Sequence, residues 1–251
     1  MIDNRSIIAV VQARMGSTRL PGKVLMPLAD RPALWHVIER LESLDYLDGI
    51  IIATSEGEDD DSIVHFLGWL NDPFVTCFRG SENDVLGRFY HALSSNPPEY
   101  FLRITGDSPL LCVEHLDRMI RTMIDEDLDG VDAHRQTTGL TLGFGGEAYT
   151  FDALQAAHRA SRDVGEREHV SLFIKERAGE FRVGYVEPDP GLCTNYRLTL
   201  DYAEDYALLS YLYDELYREG ELLDCREVLD YLRAHPGVAR MNMGCVQRTV
   251  A

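Results

Sequence analysis

The sequence is most constrained by a strand of the buried type that runs directly into a cationic loop. Residues 7–11 form an uninterrupted apolar and largely β-branched run, which is typical of a strand covered on both faces. The next residues, 13–23, contain two arginines, one lysine and two glycines. Strands covered on both faces belong to sheets flanked by helices, so the segment predicts an α/β fold with a ligand loop where the strand ends.

The chemistry of this loop suits a polyphosphate. Gly16 and Gly22 let the backbone approach a ligand, and Arg14, Arg19 and Lys23 supply positive charge in a chain that is otherwise acidic. The spacing matches neither the P-loop nor the dinucleotide-binding glycine motif. The structural alternative is an ordinary strand-to-helix connection with solvated basic residues.

The rest of the chain repeats the order strand, polar turn, helix. This pattern predicts one doubly wound α/β domain over residues 1–251, built on a mostly parallel mixed sheet. We expect buried strands at 49–55, 100–105 and 196–201, of which 196–201 is the last strand along the chain. We also expect an edge or antiparallel strand at 181–186. The Thr- and Gly-rich stretch 134–149 is expected to leave the main sheet as a β-ribbon or loop insertion.

Charge and composition exclude several function classes. The 251 residues carry a net charge of −18, which argues against a broad nucleic-acid surface or an anionic membrane as partner. Five scattered cysteines form no Cys-x-x-Cys pair and read as reduced thiols. The N-terminus lacks a signal sequence and no apolar run is long enough to span a bilayer, so we expect a cytoplasmic protein.

Two aspartates follow predicted strands and are candidate metal ligands. Asp107 follows strand 100–105 and Asp201 ends the predicted strand 196–201, so both are expected at the carboxyl edge of the sheet. The structural alternatives are a turn residue for Asp107 and a helix cap for Asp201. The acidic run 56–61 is interpreted as a solvated loop in which Asp61 caps a helix. Arg79 lies at the end of another predicted strand, and the local sequence offers no structural reason for an arginine at that position.

Four segments together resemble a known family. The segment Gln12–Lys23 looks like the nucleotide-binding signature of the cytidylyltransferases that make CMP-linked acidic sugars, most of all their spore-coat polysaccharide branch. The segments 103–110, 166–170 and 197–205 fit the same family in the same order. The resemblance covers most of the chain, and its first motif is the most specific.

The resemblance implies a Mg²⁺-dependent transfer of CMP from CTP to an acidic sugar, with release of pyrophosphate. It implies catalytic roles for Lys23, Arg14 and Asp107, and Mg²⁺ ligation by Asp107 and Asp201. The nucleotide contacts that it implies are Ala13, Arg14, Gly16, Ser17, Arg19, Lys23, Asp107 and Arg79, the last of which would read the base.

The acceptor side is less constrained by the sequence. Related enzymes use a projection like 134–149 for the sugar site and a dimer contact, which implies a homodimer and a substrate-binding role for Glu147. His169 either contacts the acceptor or packs at a helix start. Thr18 and Val24 depart from the residues of sialic-acid-activating members, which leaves the sugar open. Two alternatives remain: a glycosyltransferase or other nucleotidyltransferase of the same fold, and a non-catalytic nucleotide-binding subunit.

Overall fold

A seven-stranded sheet forms the centre of the molecule. The computed structural model describes residues 2, 5–133, 138–177 and 179–247. The strands of the sheet are β1 (Ile7–Gln12), β4 (Gly49–Ser55), β5 (Val75–Gly80), β6 (Tyr100–Thr105), β7 (Gly130–Asp132), β8 (Glu147–Thr150) and β9 (Val183–Tyr185). They lie side by side in the order β5-β4-β1-β6-β8-β7-β9, and a separate hairpin pairs β2 (Pro27–Leu28) with β3 (Arg31–Pro32).

Helices connect most of the strands. Single-turn 3₁₀ helices occur at Lys23–Leu25, Glu58–Asp60 and Pro190–Leu192. The α-helices are α1 (Ala33–Glu42), α2 (Asp61–Leu70), α3 (Val85–Ser94), α4 (Val113–Asp125), α5 (Phe151–Ala160), α6 (Val164–Glu168), α7 (Leu172–Lys175), α8 (Ala203–Leu216), α9 (Cys225–Ala234) and α10 (Pro236–Ala239).

Strand β1 lies at the middle of the sheet and explains the apolar run that opens the chain. It pairs in parallel with β4 on one side and with β6 on the other. Ala9 and Val11 pack into the larger hydrophobic cluster, whereas Val10 packs into a second cluster with Phe89 and Phe101. Successive side chains of a strand point to opposite faces, so β1 is covered on both sides. The predicted doubly wound, mostly parallel mixed sheet is confirmed.

Only the end of the stretch expected to leave the sheet enters it. Residues 147–149 belong to β8, which pairs antiparallel with both β6 and β7. Residues 138–146 lie outside the sheet as a packed loop, in which Leu140 and Phe144 are fully buried in the main core. The glycines serve close packing, because a Cβ on Gly143 would lie 2.1 Å from the carbonyl oxygen of Leu198. The prediction is therefore wrong for residues 147–149, and residues 134–137 lie outside the described part of the chain.

One smaller prediction also needs correction, and another is confirmed. Residues 196–201 do not form a strand of the sheet; they make one isolated bridge, between Arg197 and Leu142. Their backbone bonds instead to the loops that carry the site, since the N–H groups of Leu198 and Leu200 donate to Leu142 and Asp107. The segment expected at 181–186 does form an edge strand, β9, which pairs in parallel with β7.

Within the described residues, none of the helices is both long and apolar enough to cross a bilayer.

Candidate active site

The cationic loop folds back on a single carbonyl group. The carbonyl oxygen of Met15 accepts hydrogen bonds from the N–H of Ser17 at 2.8 Å and from that of Gly22 at 2.9 Å. Gly22 has φ = +71°, a left-handed conformation that other residues adopt only with strain. The loop thus has a defined turn that brings the start of the 3₁₀ helix at Lys23 back beneath Met15.

A buried carboxylate anchors this loop to the neighbouring strand. Asp60 is 3% exposed, and its two oxygens accept from the N–H of Met15 at 2.7 Å and from that of Ser55 at 2.9 Å. Burial alone would raise the pKa of Asp60, but these backbone donors outweigh it and lower the pKa. No local pattern distinguishes Asp60 from the other acidic residues of the segment 56–61. Asp60, rather than Asp61, precedes α2, and neither side chain caps that helix.

Asp107 and Asp201 are brought together by Lys23. The Lys23 Nζ lies 2.5 Å from Asp107 Oδ2 and 2.8 Å from Asp201 Oδ1. Burial would lower the pKa of Lys23, but the two carboxylates outweigh it and raise the pKa, so the ammonium keeps its proton. Three groups from distant parts of the sequence therefore form one compact charged cluster.

Two arginines complete the surroundings of Asp201. Arg19 Nη2 lies 2.8 Å from Asp201 Oδ1, and Arg197 Nη2 donates to Asp201 Oδ2 at 2.7 Å. Arg197 is itself held by Asp205, whose two oxygens lie 2.9 and 3.0 Å from its Nε. Burial would raise the pKa of Asp201, but the charge of Lys23 and then that of Arg19 lower it. Asp201 is therefore an oriented carboxylate, and the helix cap of α8 is provided instead by Tyr202 and Asp205.

A cleft of about 440 Å³ opens above the cationic loop. Most of the residues predicted to contact a nucleotide line it, namely Ala13, Arg14, Ser17, Arg19, Lys23 and Asp107. Gly16 lines a smaller adjoining depression together with Arg14. Arg14 is half exposed and lies 3.6 Å from Glu82 Oε1, so its guanidinium is only loosely held.

Arg79 faces away from this cleft. Its guanidinium donates to the carbonyl oxygens of Ser55 and Gly57 at 2.9 and 2.8 Å and to Asp61 at 2.5 Å. These three bonds hold Arg79 against residues 55–61, and Arg79 is not part of the cleft lining. They supply the structural reason for Arg79 that the sequence did not reveal.

Arg88 is a cleft residue that sequence reasoning missed. It lies on α3, is 4% exposed, and donates to the carbonyl oxygen of Ser81 at 2.6 Å. Its Nε has no hydrogen-bond partner within the part of the chain that the structure describes. Burial and then the charge of Arg14 lower the pKa of Arg88. Arg88 lies outside the apolar stripe of its helix, and the sequence pattern therefore does not indicate that this arginine is buried.

A second cleft, of about 350 Å³, adjoins the first. Both predicted acceptor residues, Glu147 and His169, line it, together with Asp107 and Asp201. The two clefts share a wall formed by six residues: Gln12, Arg19, Arg103, Thr105, Asp107 and His169. The cluster around Lys23 thus lies where the two clefts meet.

Glu147 belongs to a buried ionic network behind the shared wall. Its carboxylate accepts from Arg103 Nη1 at 2.9 Å and from Ser171 Oγ at 3.2 Å, and it also contacts Lys175. Arg103 Nη2 donates to Gln12 Oε1 at 3.1 Å, so the network reaches β1. Burial would lower the pKa of Arg103, but Glu147 outweighs it and raises the pKa. Glu147 therefore orients Arg103, which faces both clefts.

The donor set at the centre of the site fits a hard divalent cation. Within the described residues no group of three or more His, Cys, Asp and Glu side chains is arranged to hold a metal. Mg²⁺ usually takes only one or two carboxylates, with phosphate oxygens and waters completing its octahedron. Asp107 and Asp201 already converge on one cationic group, the ammonium of Lys23, so their oxygens are compatible with such a site.

Comparisons with known proteins agree with this arrangement. The model of the cytidylyltransferase family matches residues 8–221. The spore coat polysaccharide biosynthesis protein SpsF of Bacillus subtilis is 34% identical over 93% of this chain and 96% of its own. The 3-deoxy-manno-octulosonate cytidylyltransferase of Anaeromyxobacter dehalogenans is 31% identical over 67% of this chain and 73% of its own.

A solved structure extends the agreement to the fold. A cytidylyltransferase from Leptospira borgpetersenii superposes with a TM-score of 0.86 at 26% identity, and the match covers 97% of this chain and all of the other. The residues matched by the family model include the cationic loop, the wall that the two clefts share, and both Asp107 and Asp201. The chain belongs to the cytidylyltransferase family and is a nucleotidyltransferase.

Proposed function

We propose that the enzyme transfers CMP from CTP to an acidic-sugar-type acceptor and releases pyrophosphate, in the biosynthesis of a polysaccharide. The observation that carries this proposal is the Asp107–Lys23–Asp201 cluster at the meeting point of two adjoining clefts. A transferase that joins two substrates needs two binding sites with the reacting centre between them. The similarity to SpsF of Bacillus subtilis supports the polysaccharide context.

We assign the larger cleft to the nucleotide. Its cationic residues are Arg14, Arg19, Lys23, Arg88 and Arg103, whereas the body of the protein is strongly acidic. Guanidinium groups bind phosphate oxygens with two parallel hydrogen bonds, and the ammonium of Lys23 acts as a point charge. Arg79 was first expected to read the base. We assign it no role in nucleotide binding, because its guanidinium is bonded to residues 55–61.

We assign Mg²⁺ to Asp107 and Asp201. When bound, the ion supplies charge neutralisation at the phosphate groups of the nucleotide. Because Lys23 Nζ contacts both carboxylates, binding of the ion would require the ammonium to turn from one or both of them toward the phosphates. Arg197 and Asp205 would keep Asp201 in place during this change.

In the reaction, an acceptor oxygen attacks the α-phosphorus of CTP and pyrophosphate leaves on the opposite side. Lys23, Arg14 and Arg19 stabilise the negative charge that grows on the leaving group. Lys23 is suited to this role because its raised pKa keeps it charged. His169 and Arg103 face both clefts, and we assign them to the acceptor next to the α-phosphate.

We base the acceptor class on two arginines that line the smaller cleft beside the carboxylates of Asp107, Glu147 and Asp201. Arg103 brings a largely buried guanidinium, held by Glu147 and Gln12, and Arg19 brings a partly exposed one, held by Asp201. An acceptor with a carboxylate gains from both cations, whereas a neutral sugar does not. The similarity to the Anaeromyxobacter enzyme, whose name refers to an acidic sugar, supports this assignment.

The test is a coupled assay of pyrophosphate release with CTP, Mg²⁺ and a panel of sugars. The panel pairs 3-deoxy-octulosonic and nonulosonic acids with neutral sugars of the same size, and mass spectrometry identifies any CMP-sugar formed. We expect pyrophosphate and a CMP conjugate only with an acidic member. Formation of a UMP, AMP or GMP conjugate instead, or transfer only to neutral sugars, would contradict the proposal.

A further inference from the structure

Two cysteines that line neither cleft of the active site, Cys112 and Cys225, lie together in the lining of a separate cavity. Cys112 immediately precedes α4, and Cys225 is the first residue of α9. The thiol of Cys225 donates to the carbonyl oxygen of Leu110 at 3.4 Å. Its sulfur also lies 4.0 Å from the carbonyl oxygen of Leu111, the residue before Cys112 in the chain. Both cysteines line the same small cavity. Residues 113 positions apart in sequence thus form one dithiol.

The backbone around this pair is held firmly. Arg40 is buried and donates to the carbonyl oxygens of Pro109 and Leu111 at 2.8 and 2.9 Å, and it also contacts that of Leu223. A further bridge joins the two helix starts, since Arg226 Nη2 lies 2.8 Å from Glu114 Oε2. The segments that carry the two thiols are therefore fixed side by side by groups other than the thiols.

The environment divides the two sulfurs into a nucleophile and a partner. Cys112 lies at the N-terminus of a 13-residue helix, where the helix dipole favours a negative charge. The neighbouring thiol of Cys225 lowers the pKa of Cys112, and the backbone N–H of His115 adds to this effect against the opposing burial. The neighbouring thiol of Cys112 and then burial raise the pKa of Cys225.

A surface opening reaches the pair. Both thiols are almost fully buried, but a cavity of about 170 Å³ is lined by Cys112, Cys225 and the exposed Leu222. A small reagent therefore has a route to the dithiol that passes neither nucleotide nor acceptor cleft. This arrangement is independent of the transfer reaction proposed above.

We propose that Cys112 and Cys225 form a redox-responsive dithiol that small-molecule disulfides, such as glutathione disulfide, convert into an intramolecular disulfide. The Cys112 thiolate attacks one sulfur of the reagent, which breaks its S–S bond and releases one thiolate. Cys225 then gives up its proton and attacks the sulfur of Cys112, which releases the second thiolate. Two protein thiols are oxidised, the reagent is reduced to two thiols, and these thiols take up the two protons.

The experiment uses the full-length chain carrying Cys77→Ser, because Cys77 is exposed and would react on its own. The native protein is incubated with glutathione disulfide, quenched with acid, and analysed by intact mass and by peptide mapping. We expect the loss of two hydrogen atoms and a cross-linked peptide pair containing Cys112 and Cys225, both reversed by dithiothreitol. Adding Cys245→Ser, which changes a partly buried thiol elsewhere, leaves this result unchanged.

Single substitutions at the pair separate the two chemical steps. Cys225→Ala removes the resolving thiol, so we expect one glutathione to accumulate on Cys112. Cys112→Ala removes the nucleophile, so we expect no adduct on Cys225. The proposal is overturned if Cys112 and Cys225 stay reduced in the folded Cys77→Ser chain, while Cys77 of the wild type reacts fully in a parallel incubation. A cross-link between other cysteines, or an adduct on Cys225 rather than Cys112, also overturns it.

Discussion

Lys23 and Asp201 lie 178 residues apart in the sequence, yet the Nζ of one is 2.8 Å from the Oδ1 of the other. Lys23 begins a 3₁₀ turn after β1, and Asp201 precedes α8, so the contact joins the first and last parts of the site. Asp107, which follows β6, completes the cluster at 2.5 Å from the same nitrogen. The proposed transfer of CMP depends on these two contacts of the Lys23 ammonium.

Replacement of Lys23 by alanine separates catalysis from binding. We expect kcat to fall by roughly one to three orders of magnitude, with a smaller change in KM for CTP, because the charge acts most strongly on the leaving pyrophosphate. Steady-state kinetics measure both constants. Arg233→Ala, which changes an exposed arginine of α9, serves as the control and leaves them unchanged. An unaltered kcat in Lys23→Ala would remove Lys23 from the mechanism.

The same position also tests the assignment of the metal. Lys23→Met leaves Asp107 and Asp201 without their shared ammonium, which we expect to cost about 2 kcal/mol of unfolding free energy, less than for a fully buried pair. We expect Mg²⁺ to restore much of the lost unfolding free energy in Lys23→Met, because the ion takes the place of the ammonium. In Asp201→Asn we expect Mg²⁺ to add little stability. Thermal unfolding with and without Mg²⁺ measures this. Equal Mg²⁺ effects in both variants would speak against a metal at these carboxylates.

Asp60 and Arg79 form a contrasting pair. Asp60→Asn replaces a carboxylate that accepts from Met15 and Ser55, so we expect the loop to loosen and KM for CTP to rise about tenfold. Arg79→Lys removes a guanidinium that faces residues 55–61, so we expect less than a twofold change in KM. Initial-rate assays at varied CTP concentration test both. A larger effect of Arg79→Lys than of Asp60→Asn would restore the base-reading role of Arg79.

Two buried histidines predict a stability that falls in weak acid. Burial lowers the pKa of His36 and that of His115 from 6.5 to about 4. Between these values the unfolded chain binds protons that the folded chain does not, so stability is lost as the pH falls from about 6.5 towards 4. Each histidine contributes a slope of at most about 1.4 kcal/mol per pH unit.

Urea unfolding between pH 4.5 and 7 measures this slope, with His115→Leu as the variant. Neither ring nitrogen of His115 has a hydrogen-bond partner among the described residues, so leucine removes only the titration. We expect the slope to fall by about 1 kcal/mol per pH unit. His65→Gln changes an exposed histidine and is the matched control. A slope unchanged in His115→Leu would show that folding does not lower the pKa of His115.

Much of the fold could be predicted from the sequence because its local signals agree with its tertiary environment. The run from Ile7 to Val11 is apolar on both faces, and the strand that it forms is covered on both faces. The alternation of strands and helices fixed the doubly wound class for the same reason. By contrast, the glycines between residues 139 and 146 predicted flexibility, whereas Gly143 and Gly145 serve close backbone contacts. Local sequence does not distinguish these two uses of glycine.

The site was predictable at Asp107, which follows β6, whereas Asp201 reaches the site although residues 196–201 form no strand of the sheet. Asp107 and Asp201 were expected at the same edge, and the structure brings them to one ammonium. Asp60, Arg88 and Arg197 were missed as site residues, because their roles depend on partners far away in the sequence or on burial. Arg79 shows the converse, since a position at a strand end did not determine the direction of its side chain. Long-range contacts of this kind leave no pattern in a single sequence.

Thermal unfolding with CTP, UTP, ATP and GTP, each with Mg²⁺, decides whether the Asp107–Lys23–Asp201 cluster belongs to a CTP site. The wild type and Asp107→Asn are compared. At a ligand concentration of about 100 times Kd, binding adds about 2.7 kcal/mol, or roughly 5 to 10 °C for a chain of this length. We expect such a shift with CTP and with none of the other three nucleotides, and we expect Asp107→Asn to abolish it. A shift of equal size for another nucleotide, or no shift with CTP, would contradict the claim.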